Sequence, residues 1–576
     1  MIVYRRQHRA AEPDRLLRDL EDDILRLGSH PEHAAIVDVL IELGIAESGI
    51  LDARHPERDD ESELDRLFGA AALSAGALLV SSWRGQRERV AAERDELARQ
   101  LGALRTLSLP AGCRTSDPEG YAQYGVWPEA YAESARRAVQ ELRPARVVCL
   151  GLRSIGTSLS AVVAAMVRAE GCPVTRHTLR PREHPFERRP AFGAALERRL
   201  REEADGAHFL IVDEGPGLSG SSIAGVAEAL SRLGVPDERI VLLPSWDTDG
   251  RGLKSETGRR RWARHPRFVT TFGPAWPAPA PPAGLPPGAE LTDFSAGRWR
   301  PQLIPAGQAW PAVHPQHERR KVVSGGRWYA FAGLGRFGTR ALELQAALAE
   351  AGFSPRPLGL DQGMLLREMV KGTPLAGEAD EVTLVRIADY LAHRCRCYPA
   401  DNDERGDLTE MALTNVEEAG GGELARLARR RLRESGFPGS APPVTLDARM
   451  QPHEWLRTPA GLLKVDATDH HADHFYPGTG DIAWDLAGAI VELDLGEDGR
   501  ALLLRRYRAQ SRERDINRRV PGYLVAYLGF RIGYAALAEE TLGGSDDGRR
   551  FARLKRRYLA SLAAELEANA EATARG

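Results

Sequence analysis

Little in this sequence would tie it to a membrane, to nucleic acid or to an oxidising compartment. Its five cysteines, Cys113, Cys149, Cys172, Cys395 and Cys397, are scattered and odd in number. Only Cys395 and Cys397 are close, and CRC has neither zinc-knuckle nor CxxC redox spacing. Reduced thiols are expected. The opening MIVYRRQHRAAEP lacks the apolar core of a signal peptide. The longest apolar run, AALSAGALLV at 71–80, is about half of a membrane span. A net charge of −3 gives no basic excess, so bulk nucleic-acid affinity is not expected. No internal repeat is evident. These absences lead to the expectation of a soluble cytoplasmic protein without a nucleic-acid or membrane partner, homo-oligomerisation being left open.

What is present is globular: 576 residues, 43% hydrophobic and 28% charged, enough for three or four domains. Residues 1–106 carry apolar residues at 3–4 spacing in RLLRDLEDDILRL, AAIVDVLIELGIAESGIL and VAAERDELARQLGAL, which predicts a helical lid or oligomerisation unit. Residues 107–273 alternate short apolar runs (ARVVCLGL, HFLIVDE, RIVLLPSW) with helical segments, which predicts a doubly wound, mainly parallel α/β sheet. Residues 274–289, PAWPAPAPPAGLPPGA, read as a stiff linker. Residues 290–576 begin with strand-like pieces and become mostly helical, an α+β unit.

The first chemistry lies in FLIVDEGPGLSGSS, 209–222. Asp213 and Glu214 sit where α/β sheets bind ligands, at the end of a strand. Gly215, Gly217 and Gly220 remove side chains before a helix N-terminus, and Ser219, Ser221 and Ser222 add hydroxyls, a phosphate cradle. An earlier strand–loop–helix, VVCLGLRSIGTSLS, offers Arg153, Ser154, Gly156 and Thr157. Together these resemble the type I phosphoribosyltransferases, whose strand, acid pair and Thr-Gly-x-Thr loop appear here with Ser-Gly-Ser-Ser and one extra loop residue. The resemblance implies a glycosyltransferase using phosphoribosyl pyrophosphate (PRPP) and Mg²⁺. Asp213 and Glu214 would hold the ribose hydroxyls and the metal, Ser219–Ser222 the 5′-phosphate, and Arg153–Thr157 the pyrophosphate. Arg180, Arg182, His184 and Arg188, in the basic stretch 176–190, would close over it unless that stretch is a solvated hairpin. Aromatics in 116–134 form either a hood over the acceptor or packing.

The second chemistry is in the C-terminal half. GMLLREMVKGTPL (363–375), LDARMQPHEWL (446–456), GLLKVDATDHH (461–471) and GDIAWDLAGA (480–489) resemble, in that order, the aminoglycoside/choline phosphotransferase-like kinases. The resemblance implies a two-lobed domain rich in helix, with ATP as an optional ligand and Asp466 as a Mg²⁺ ligand. It departs at the catalytic segment. Aligned on Pro452, Arg449 stands where the catalytic Asp belongs and Glu454 where the Asn belongs, with Asp447 two residues off. The strand lysine is missing too, with Ala330 near its place, which leaves Glu343 without a partner. DATDHHADH packs Asp466, Asp469, His470, His471, Asp473 and His474 together, a metal site with His453 and Glu454 or a polar loop. Asp481 and Asp485 read as structural. Gly333-x-Gly335-x-x-Gly338 alone is a weak dinucleotide signal.

The favoured expectation is phosphoribosyl transfer to a small acceptor, with the kinase-like half acting on substrate or product or sensing nucleotide. The alternatives are a non-catalytic regulator binding PRPP or a nucleotide, a hydrolase or phosphorylase needing no pyrophosphate loop, and an NAD-dependent enzyme.

Overall fold

The computed structural model describes the chain except residues 6, 7, 29, 271–289, 378, 402, 403, 405, 469 and 576, and the side chains of 568–575. The expected linker and Asp469 therefore lie outside the described residues.

Four helices come first: α1 (Pro13–Arg26), α2 (His33–Arg54), α3 (Glu63–Trp83) and α4 (Arg87–Arg105). Pro13 starts α1, and a reciprocal capping box between Ser62 and Asp65 starts α3. The apolar run 71–80 is the middle of α3. This helix is long and apolar enough to cross a membrane, yet 67% of its apolar window is buried inside the protein. A two-stranded ribbon, β1 (Arg9–Ala11) with β2 (Cys113–Thr115), flanks the four helices in sequence.

Next come α5 (Pro128–Leu142), β3 (Arg146–Leu152), α6 (Ile155–Ala169), β4 (Val174–Leu179), α7 (Ala194–Ala204), β5 (Ala207–Val212), α8 (Ser221–Arg232), β6 (Ile240–Leu243) and α9 (Glu256–Arg264). The strands form a parallel sheet in the order β4-β3-β5-β6. Alternate residues feed two cores, as a sheet covered on both faces requires. Val147, Cys149, Leu210 and Val212 join the core of α1–α6, and Val148, Leu150, Phe209 and Ile211 join the core that contains Leu196, Val226 and Trp262. The first four helices thus share a core with one face of the sheet. The basic stretch expected to be a mobile loop or hairpin begins as β4, an edge strand, so residues 176–179 are fixed in the sheet.

The C-terminal half begins with β7 (Thr292–Asp293), α10 (Arg300–Leu303), β8 (Lys321–Ser324), β9 (Arg327–Phe331), α11 (Arg336–Glu350), β10 (Pro357–Asp361) and β11 (Met364–Glu368). These strands make an antiparallel sheet ordered β10-β11-β9-β8-β7. A smaller sheet contains β12 (Thr373–Pro374), β13 (Trp455–Thr458) and β14 (Gly461–Lys464). Helices make up most of the remainder: α12 (Glu381–Cys397), α13 (Leu408–Gly420), α14 (Gly422–Glu434), α15 (Ala483–Glu492), α16 (Glu497–Ser511), α17 (Ile516–Leu542) and α18 (Asp546–Arg575). Side-chain caps at Asp380 and Asp407 start α12 and α13.

The GLGRFG loop does not open a Rossmann unit, because β10, which follows α11, is not paired with β9 but separated from it by the antiparallel strand β11. The N-terminal half fills its space. Leu334 N–H donates to the Tyr121 carbonyl, and a Cβ on Gly335 would sit 2.6 Å from Asp38 Oδ1.

The two halves are docked. Tyr329, Phe331 and Met364 belong to the same core as Tyr121 and Trp127. Trp127 Nε1 donates to the Gln362 carbonyl at 2.9 Å, and Gln123 Nε2 to the Ala472 carbonyl at 2.9 Å. The first residues cross as well: Ile2 N–H donates to Asn415 Oδ1 at 2.6 Å, Arg5 N–H donates to the His474 carbonyl, and Val3 is buried in the C-terminal core.

Candidate functional site

The cleft of the C-terminal half is built around the turn that follows β14. Asp466 stands at its start, 3.4 Å from His470 Nε2. Glu454, Asp466 and His470 each bring a ligand atom within 4.8 Å of the others. Two carboxylates and an imidazole form a donor set suited to a divalent cation. Against the burial that would raise it, His470, Lys321 and Arg449 hold Asp466 well below the usual carboxylate range.

The preceding segment carries Asp447, Arg449 and Glu454, the positions singled out in the sequence. Asp485, in the first turn of α15, accepts the backbone N–H groups of Asp447 and Ala448 at 2.8 and 2.9 Å and fixes that loop. Asp447 is fully buried, 3.2 Å from Lys464 and bonded by the Tyr390 hydroxyl, so it faces no substrate. Arg449 pairs with Glu454 at 2.8 Å, and Lys464 reaches Glu454 at 3.0 Å. Burial would strip the Lys464 proton, but Asp447, Glu454 and Asp466 outweigh it and raise its pKa. Asp481 caps α15 at Ala483 N–H and pairs with Arg519 at 2.7 Å, a structural position.

Above Asp466 lies a slot of about 130 Å³ with Trp328, Ala330, Leu365, Met369, Leu456 and Val465 among its walls. Ala330 lines it. Its cross-strand partner is Lys321, which lines the same slot and lies 3.1 Å from Glu318. Residues directly opposite in an antiparallel pair leave the sheet on the same face. A lysine from β8 therefore reaches the slot that β9 lines with Ala330. The sequence held a signal for it. The Gly325–Gly326 turn sets Ser324 opposite Arg327, and counting back three pairs brings Lys321 to Ala330. Arg367, also in the slot, is pulled down to about 10 by burial, with Asp466 opposing. Glu343 is exposed on α11, and Gln345 lines the slot instead.

The second locality is at the ends of β3 and β5, neighbours in the parallel sheet. Asp213 and Glu214 are half-buried there. Burial, only partly offset by the Glu214 N–H, Arg188 and Arg180, pushes Asp213 up to about 6. Burial, then Glu119 and Asp213, push Glu214 up to about 8. Gly217 and Gly220 take left-handed φ values of 59° and 68°, and Gly220 precedes α8. The Ser219 and Ser221 hydroxyls both donate to the Pro185 carbonyl, at 3.0 and 2.6 Å, so the basic stretch lies across this loop. Ser222 opens α8 beside Ser221.

The neighbouring loop is occupied by the N-terminal helices. Arg153 is buried, bonded to Asp59 and 3.2 Å from Asp52. Arg180 pairs with Asp52 as well, and Arg182 with Asp59 at 3.0 Å. Thr157 is fully buried against the Ser48 hydroxyl at 2.8 Å, and Ser154 holds a positive φ of 137°. Gly156 serves packing, since a Cβ there would sit 2.5 Å from the Val212 carbonyl oxygen. Of the basic candidates, Arg188 and Arg180 influence Asp213, and the His184 ring is tilted against Phe186 at 5.6 Å. The aromatics Tyr121, Trp127 and Tyr131 are buried as packing, with the Tyr131 hydroxyl bonded to the Asp213 carbonyl.

The two localities meet at His474. Burial pulls its pKa down, but Asp473, Glu119 and Glu214 outweigh that and hold it above the ordinary histidine value. Its ring lies 3.2 Å from the Tyr124 hydroxyl.

No family model matches this sequence, and no curated protein matches it. Among solved structures, choline kinase LicA from Streptococcus pneumoniae is similar to 46% of this chain over 96% of its own length, with TM-score 0.33 and 15% identity. A choline/ethanolamine kinase family protein from Mesorhizobium loti gives 46% and 97%, TM-score 0.31 and 17% identity. The GDP complex of aminoglycoside 2′-phosphotransferase-IIIa gives 46% and 96%, TM-score 0.29 and 14% identity.

Proposed function

We propose that the C-terminal cleft binds a magnesium–nucleoside triphosphate and transfers its terminal phosphoryl group to a small molecule. The observation that carries this reading is the set Glu454, Asp466 and His470, with ligand atoms within 4.8 Å of one another, beside a slot that also holds Lys321. The slot's apolar walls suit a base. Lys321 and Arg367 supply charge for phosphates, and Asp466 with its neighbours would hold Mg²⁺. Phosphoryl transfer relies mainly on positioning and charge neutralisation, so an arginine at position 449 does not by itself forbid it. The test is calorimetric titration of the full chain with Mg·ATP, alongside Asp466→Asn. Binding lost in the variant supports the reading, and no binding to folded protein at millimolar ligand sinks it.

A second reading, phosphoribosyl transfer from PRPP in the N-terminal half, is favoured by the acid pair at the end of β5, only partly compensated, beside the loop after β3. The engagement of Arg153 by Asp52 and Asp59 weighs against a pyrophosphate loop and toward a ligand without pyrophosphate, or a regulatory one. Titration with Mg·PRPP, with and without Asp213→Asn, separates these.

A further inference from the structure

Asp466 and Arg449 also line a second cavity, of about 680 Å³, that extends to α17 and α18. Its far wall has a definite charge pattern. Glu492 is buried at the end of α15 and shared by two guanidiniums, Arg531 at 3.1 Å and Arg557 at 2.9 Å. Behind Arg550, which lines the cavity, Asp547 is likewise shared, by Arg300 at 2.6 Å and Arg550 at 3.1 Å. One carboxylate between two arginines leaves a positive charge on each trio. Arg553 lies between Arg550 and Arg557 on the same face of α18, is exposed, and has no ion pair among the described residues. The remaining acids of the wall are already paired: Glu318 with Lys321, Asp473 with His474, and Asp466 with His470. At the rim, Trp310 is 41% exposed and flanked by the guanidiniums of Arg300 and Arg550 at 5.3 and 5.6 Å.

We propose that this cavity is the acceptor pocket of the phosphotransfer site and that its acceptor carries an anionic group, a phosphate or a carboxylate, bound by Arg553 and Arg557 of α18. A pocket for a cationic alcohol would present uncovered carboxylates or open aromatic faces, and here Glu492 of the far wall is covered by two arginines, Trp310 by Arg300 and Arg550, and Tyr534 by Arg531. This rests on the phosphotransfer reading of the adjoining slot. In the step, an acceptor oxygen bonds to the terminal phosphorus of the nucleoside triphosphate. The bond from that phosphorus to the bridging oxygen breaks, the nucleoside diphosphate leaves with the electron pair, and the acceptor proton goes to solvent.

The experiment is direct titration of the full chain with three probes, ribose 5-phosphate, glycerate and choline, repeated with Arg553→Glu. Arg553 is exposed, so the variant should fold. The proposal expects one or both anions to bind, choline not to, and Arg553→Glu to weaken the anion at least tenfold while Mg·ATP affinity changes less than twofold. The tighter anion identifies phosphate or carboxylate. Preferential binding of choline, no anion binding, or an Arg553→Glu variant with unchanged affinity overturns it. Failure of the phosphotransfer reading is seen separately. In that case the anions bind and respond to Arg553→Glu, but Mg·ATP does not bind, and the pocket is then a binding site without a donor.

Discussion

Lys321 and Ala330 stand opposite each other across a two-glycine hairpin, so either position can place an ammonium in the slot. Lys321→Ala is expected to weaken Mg·ATP binding about tenfold, or about 1.4 kcal/mol, with the melting temperature unchanged. Adding Ala330→Lys in that background should recover most of the loss, a rescue that a purely structural lysine would not show. Titration of the three proteins decides it. At this scale, sequence reasoning singled out Asp466 and the acid pair Asp213–Glu214 as candidates, because short spacings carry them. It did not reach the partners of Arg153. Asp52, near the end of α2, and Asp59, in the connection to α3, lie far upstream, and no local pattern links an arginine to carboxylates that only the fold brings near. It also looked for the slot cation on one strand, when register had moved it to the next.

Helix α3 packs on α6 closely enough that a Cβ at Gly76 would sit 2.3 Å from the Ala161 carbonyl oxygen. Gly76→Ala should therefore cost about 1–3 kcal/mol, read as a lower denaturation midpoint with unchanged slope. In α15, Asp485→Ala would leave the Asp447 and Ala448 N–H groups without their acceptor, at about 1–3 kcal/mol for each group that stays buried and unmet. Mg·ATP affinity should fall with stability, because the same loop continues to Arg449 and Glu454. Periodicity made α1, α2 and α4 legible, and apolar runs made β3, β5 and β6 legible. Strand β4 was hidden. At the sheet edge it is only half-buried, so VTRHTL carries no apolar run and its arginine reads as loop.

Across the whole molecule, His314 and His317 stack at 3.7 Å near the seam between the halves. Burial holds them down, to about 4 and about 3, from an ordinary value of 6.5. Below pH about 6.5 the unfolded chain takes up protons that the native state refuses. Stability should therefore fall with pH from there to about 4, each such proton adding a slope of about 1.4 kcal/mol per pH unit. His314→Gln should flatten the slope of stability against pH, measured by denaturant titration between pH 7 and 5. The apparent boundary at 274–289 was plain in composition, but the docking was not, because surfaces that meet across hundreds of residues leave no shared period in the sequence. The contacts of residues 2–5 with Asn415, His474 and the C-terminal core, together with Trp127–Gln362 and Gln123–Ala472, run from one half to the other without using the stretch between them. Fragments 1–270 and 290–576, produced as separate chains in one cell, should therefore find each other and co-purify as a stoichiometric complex. A protease nick in that stretch would leave the particle's hydrodynamic size unchanged.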